Sequence, residues 1–132
     1  MVCLDPGPGF RYTFPMMKFY EYSKCSTCRN AKKFLDRNSV KYQAIPIVER
    51  PPTRAELKRM LGHLGDFKKL FNTSGELYRE LKISDRLKAG MTESEALELL
   101  SRNGKLIKRP FLLFDKGGTV GFKEDVWKKL PL

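Results

Sequence analysis

Long apolar runs are missing from this 132-residue chain. No stretch approaches the roughly 20 residues that a membrane helix needs, and none has the layout of a secretory signal. Cysteine is scarce: the three present are an odd count, a poor start for a paired disulfide scaffold. Histidine is scarcer still, with only His63; a four-ligand zinc site would have to add Cys3 and His63 to the one C-x-x-C, with no second C-x-x-C, and is not expected. Acid is in short supply as well, 15 Asp and Glu against 26 Lys and Arg, for a net charge of +11. That excess favours anionic partners such as nucleic acid, a phosphate or arsenate oxyanion, or an acidic protein face. The basic residues, however, are spread over every segment, with no recognition-helix pattern and no aromatic-interleaved basic strand, so direct DNA binding is not expected. What is present, 41% hydrophobic and 31% charged residues, is an ordinary globular composition that excludes collagen, coiled coil and full-length disorder. The expectation is one cytoplasmic, monomeric domain with a true core and no metal.

Residues 1–16 read differently from the rest. Two prolines and two glycines fall within the first nine positions and Pro15 follows, too little burial to repay ordering the chain. These residues are expected to form a flexible N-terminal extension, with Cys3 a bystander, ahead of a domain at 17–132. Lys18 to Tyr22 is short, aromatic and strand-like. Over 26–38, Cys28, Ala31, Phe34 and Leu35 recur at helical spacing. Val40 to Val48 reads as a second strand, with Pro46 marking an edge or an early end. A β-α-β unit of this kind calls for a parallel strand pair. A helical insert is expected at about 53–103. Thr53-Arg-Ala-Glu56 and Thr92-Glu-Ser-Glu95 both have capping-box form, Gly62 and Gly65 interrupt between them, and Asn103-Gly104 makes a stop. Phe111 to Phe114, a turn over 115–118 and Thr119 to Phe122 then read as a hairpin. A helix at 124–130 closes the chain on Val126, Trp127 and Leu130. This order, β-α-β, helices, β-β-α, is that of an α/β thioredoxin-like fold with a mixed four-stranded sheet.

Cys25-Ser-Thr-Cys28 is the sharpest chemical feature, because it lies where the first strand hands over to the first helix. Cys25, at the helix entrance, faces unpaired N–H groups and the positive end of the dipole, which favour a thiolate. Lys24 and Arg29 add positive charge on either side and are candidate oxyanion contacts. Cys28 lies in the first turn, within reach of the first sulfur, so Cys25 is a candidate nucleophile and Cys28 a candidate resolving thiol. A pair of structural buried thiols is the competing reading; Cys28 lies on the apolar stripe and Cys25 does not. Arg109-Pro110, directly before a buried strand, is either a plain strand start or a cis-proline that brings Arg109 to Cys25 as a forked oxyanion ligand. Tyr22 is a candidate for tuning access to Cys25, or simple strand packing.

Residues 17–130 resemble the ArsC/Spx group of arsenate reductase-like proteins. The resemblance is carried by the strand and Cys25 loop, Glu49-Arg-Pro-Pro-Thr-Arg-Ala-Glu-Leu57, the stretch from Leu70 to Leu81 with Tyr78, Lys108-Arg-Pro110 and Gly121-Phe122. It implies that Cys25 is the reactive cysteine and Arg109 the arginine ahead of the cis-proline, Pro110. Two further oxyanion-binding arginines of the family's arsenate reductases fall at about Lys68 and Lys123, where lysine keeps the charge and loses the fork. Cys28 is typical of the Spx-like branch. The resemblance implies two functions. One is a thiol reductase acting on arsenate or a disulfide, with no bound cofactor and with glutathione, glutaredoxin or thioredoxin as thiol co-substrate. The other is an Spx-like redox-sensing transcriptional regulator that docks on RNA polymerase. Leu132 follows the last expected helix directly, without the longer C-terminal tail of that branch, and the expectation leans to the enzyme.

Overall fold

Phe19 and Tyr20 are neighbours in sequence and belong to different cores. That split follows from the twofold alternation of side chains along a strand, and it organises the molecule. The computed structural model describes residues 17–132; the expected N-terminal extension and Cys3 lie outside the described residues. The elements run β1 (Lys18–Glu21), α1 (Ser26–Arg37), β2 (Gln43–Pro46), α2 (Arg54–Leu64), α3 (Glu76–Glu80), α4 (Ile83–Lys88), α5 (Glu93–Arg102), β3 (Phe111–Phe114), β4 (Gly117–Val120) and α6 (Glu124–Trp127). The strands form one mixed sheet in the order β2-β1-β3-β4, parallel between β1 and β2 and antiparallel elsewhere. This is the thioredoxin-like arrangement that the order of elements predicts.

Register carries the alternation across the sheet. Phe19 lies opposite Leu112, and both join Ala31, Phe34 and Leu35 of α1 and Trp127 of α6 in one core. Tyr20 lies opposite Phe111, their rings edge to face at 5.5 Å, in the other core with Leu57 and Met60 of α2 and Ala96, Leu97 and Leu100 of α5. Helices therefore cover both faces, which is why β3 is apolar at every position. Pro46, exposed on the outer strand, ends β2 at the sheet's edge, where a missing N–H costs no ladder bond.

Several boundaries differ from the sequence reading. The hairpin turn is the two residues Asp115 and Lys116. Gly117 and Gly118 pair with Phe114 and Leu113, and Gly118 is a strand residue against which Met60 packs so closely that a Cβ would lie 2.9 Å from its sulfur. Helix α2 runs through Gly62 and ends at Gly65, whose positive φ of 83° makes the left-handed cap. Helix α6 is a single turn that buries Trp127 and leaves Val126 47% exposed.

Gly104 is also more than a helix stop. The cap of α5 is Asn103, whose amide donates to the carbonyl of Leu99 at 2.9 Å. A Cβ on Gly104 would lie 1.9 Å from the carbonyl oxygen of Ile47, a backbone atom that no side-chain rotation can clear. Gly104→Ala is expected to destabilise the fold by about 2 kcal/mol, as an overpacked core site. Chemical denaturation of the variant checks this, and an unchanged midpoint would refute the close approach.

Candidate functional site

The site begins where β1 ends. The chain turns through Tyr22, Ser23 and Lys24, and the N–H of Cys25 closes the turn on the carbonyl of Tyr22 at 3.0 Å. Cys25 is then the N-cap of α1: its backbone is extended and its Sγ accepts the Cys28 N–H at 3.3 Å. A sulfur thus stands where serine or aspartate oxygens serve elsewhere. Burial opposes ionisation of Cys25. Hydrogen bonds from the Cys28 thiol and N–H, the charge of Arg109 and the Thr27 N–H together outweigh it and bring its pKa below the ordinary thiol value. Cys28 lies one turn into the helix and is buried. Burial and the hydrogen bond and charge shared with Cys25 push it up to about 12, against a main-chain hydrogen bond from Tyr22 and the charge of Arg109. The two sulfurs are thus shifted in opposite directions, Cys25 toward the thiolate and Cys28 toward the thiol.

A second strand of construction brings Arg109 to this sulfur. Asn72 donates to the carbonyl of Leu106 at 2.7 Å and Lys108 to that of Leu70 at 2.8 Å, a short antiparallel bridge centred on Phe71 and Ile107. It sets the loop at 72–75 beside residues 108–110. The Arg109–Pro110 peptide is cis, as the thioredoxin-like reading predicts. Pro110 accepts the N–H of Gly121 at 2.8 Å, and Gly121 accepts the indole N–H of Trp127 at 3.2 Å. The guanidinium of Arg109 lies over the ring of Tyr22, 4.5 Å from its centroid.

Between these segments opens a cavity of about 500 Å³, walled by Cys25 and Thr27, residues 72–75, Lys108 and Arg109, and residues 119–123, with Val126 and Trp127 at one side. The structure therefore brings together Cys25, Arg109 and Lys123. It does not bring in Lys24, Arg29 or Lys68. Arg29 instead braces the turn, its guanidinium donating to the Ser23 carbonyl at 3.2 Å. Lys68 is exposed on a 3-10 turn (Phe67–Leu70) whose start is capped by Asp66, and the wall expected from it is supplied by the 72–75 loop. Asn-Thr-Ser-Gly at 72–75 is turn composition in the sequence, a signal for a loop with nothing to say what it faces. Lys108 is a further cation on the wall that sequence reasoning left unassigned. Among the described residues no group of three or more His, Cys, Asp or Glu could hold a metal ion, and no helix is long and apolar enough to cross a membrane.

Residues 20–130 match the ArsC family. The chain belongs to the ArsC family. Among its relatives, the uncharacterized protein YusI of Bacillus subtilis is 47% identical over 114 residues, covering 86% of this chain and 96% of YusI. The global transcriptional regulator Spx of Streptococcus mutans is 30% identical over 112 residues, covering 83% of this chain and 79% of Spx. A solved structure of a possible arsenate reductase from Streptococcus mutans superposes with a TM-score of 0.77 at 42% identity, covering 86% of this chain and 98% of that one. This ArsC family chain is therefore similar both to a reductase-like structure and to a regulator, so its own activity has to be argued from the cysteine site.

Proposed function

We propose that this protein is a cytoplasmic thiol-dependent reductase in which Cys25 is the nucleophile and Cys28 the resolving thiol. One observation carries the reading. Of two cysteines a helical turn apart, Cys25 opens on the cavity that Arg109 also lines and Cys28 is buried, so that hydrogen bonds and the Arg109 charge bring the first thiol's pKa down while burial pushes the second up. A thiolate attacks while its partner keeps its proton until needed.

For a disulfide substrate, the Cys25 sulfur forms a bond to one substrate sulfur and the other leaves as thiolate. Cys28 then gives up its proton and attacks the Cys25 sulfur. The bound half leaves as a second thiolate, and the two electrons have passed from protein to substrate. For arsenate, the thiolate bonds to arsenic and an oxygen leaves as water after protonation. A second thiol attacks the Cys25 sulfur, the sulfur–arsenic pair stays on arsenic, and arsenite departs. Arg109 and Lys123, with Lys108 beside them, line the cavity with the positive charge that an oxyanion requires. Lys24, Arg29 and Lys68 contribute only to the general positive field. Glutathione, glutaredoxin or thioredoxin restores the dithiol.

The similarity to Spx supports a second reading, in which the same cysteine pair is a switch on a regulator that docks on RNA polymerase. A coupled assay separates the two readings. Turnover of arsenate and of glutathione disulfide is followed with glutaredoxin plus glutathione, and separately with thioredoxin. If Cys28 resolves, Cys28→Ser is expected to lose at least about 10-fold with thioredoxin. Cys28→Ala, which removes the thiol donor altogether, should also raise the Cys25 pKa, since that bond lowers it. Turnover that Cys28→Ser leaves intact assigns resolution to an external thiol. No turnover by wild type with either donor, together with co-purification of polymerase subunits, establishes the regulator instead.

A further inference from the structure

Tyr22 is attached to every part of the site. Its carbonyl accepts the Cys25 N–H, its main chain hydrogen-bonds the Cys28 thiol, and its ring carries the Arg109 guanidinium at 4.5 Å. Arg109 has little else to hold it. Among the described residues its one side-chain hydrogen bond is to the Lys105 carbonyl at 3.5 Å, and no carboxylate pairs with it. Arg109 and Tyr22 also share the wall of a second cavity of about 410 Å³ that adjoins the first through Asn72, Gly75 and Arg109. The guanidinium thus stands on the partition between two open spaces, and free of the ring it has room to swing into either.

We propose that Tyr22 is the positioning residue of the site: its ring face holds the Arg109 guanidinium at the partition, on the wall that Arg109 shares with Cys25. The attraction is between the aromatic face and the flat cation, so the phenol oxygen, which makes no hydrogen bond among the described residues, is dispensable. This rests on Cys25 being the reactive thiolate, and its test reads that thiolate directly, without any substrate.

The test is the pH profile of iodoacetamide alkylation at Cys25, followed by mass spectrometry in the full chain. Cys25→Ser supplies the blank, and a wild-type thiol that alkylates no faster below neutral pH than a free cysteine would overturn the proposed function itself. Tyr22→Leu is expected to move the profile to higher pH and slow alkylation on its acid limb about 2- to 5-fold, the size of an exposed cation–π contact. Tyr22→Phe should restore the wild-type profile. In an Arg109→Gln background Tyr22→Leu should add no further shift, because the ring acts through the guanidinium. Tyr22→Met makes the same comparison if the leucine variant does not fold. A Tyr22→Leu profile that overlays wild type, a Tyr22→Phe profile that shifts with it, or a full shift persisting in the Arg109→Gln background would each overturn the positioning role and leave the Cys25 thiolate standing.

Discussion

Cys25→Ser is expected to lower reductase turnover by at least about 10³-fold while leaving the fold as stable as wild type or slightly more so. Two roles of one side chain separate in this substitution. As N-cap of α1, the Cys25 sulfur accepts a 3.3 Å hydrogen bond from the Cys28 N–H, and a serine oxygen does that at least as well. As nucleophile, the sulfur depends on being ionised, which a serine hydroxyl in the same place is not. The hydrogen bonds and the Arg109 charge that lower the Cys25 pKa also fix the acid limb of the rate. Turnover should fall as pH drops through that lowered value, later than an ordinary thiol would allow. The limb should move up in Arg109→Gln, which removes one of the groups that favour the thiolate. Melting midpoint and turnover, measured on the same preparations, check both halves. Wild-type turnover in Cys25→Ser would end the proposed mechanism, and loss of stability together with activity would make the sulfur a structural group.

The fold was legible because its signals are local. Cys28, Ala31, Phe34 and Leu35 share one face of α1 in the structure as their spacing predicts, and both threonine–glutamate boxes cap the helices they precede. What escaped was decided across the sheet. Gly117 and Gly118 look like turn residues by composition, yet β3 pairs with both and α2 packs onto the second. Val126 fits the apolar stripe of a longer closing helix, but α6 lasts one turn and turns that side chain outward to the cavity rim. The site divides the same way. Cys25 at a helix start and Arg109 ahead of a strand are each readable from their own neighbours. The 72–75 loop is not, because it reaches the sulfur only through the bridge between Phe71 and Ile107, some 35 positions apart in sequence. The resemblance carried the expectation for Lys68, and an approximate match of position does not say which way a 3-10 turn faces.

Glu56 shows how far a local signal can understate a residue, and it carries the largest expected effect on stability. In sequence it is the last letter of a capping box. In the structure its Oε1 accepts the Thr53 N–H at 3.0 Å and the buried Tyr20 hydroxyl at 2.7 Å, and its Oε2 accepts Lys18 Nζ at 2.6 Å. One carboxylate thereby fastens the start of α2 to β1. Glu56→Ala is expected to cost about 3 kcal/mol. Stranding the Tyr20 hydroxyl contributes about 1–3 of that, and half a capping box about 1. Lys18, 37% exposed, contributes little because water screens it. For a chain of this size that is roughly 10 °C in melting midpoint. The pH dependence has a definite sign. Burial raises the Glu56 pKa, but the bonds from Lys18, Thr53 and Tyr20 outweigh it and leave it below the ordinary carboxylate value. A carboxylate lowered in the folded state contributes its full stability above its unfolded pKa of about 4.3 and loses it as pH falls through the folded value. Wild type should therefore lose stability on acidification more steeply than Glu56→Gln, which has no proton to gain, and the two curves should converge at low pH. Denaturation midpoints of both proteins from neutral pH downward test this. Parallel curves would mean that the carboxylate is as well solvated folded as unfolded, and that β1 and α2 are held together by their apolar faces alone.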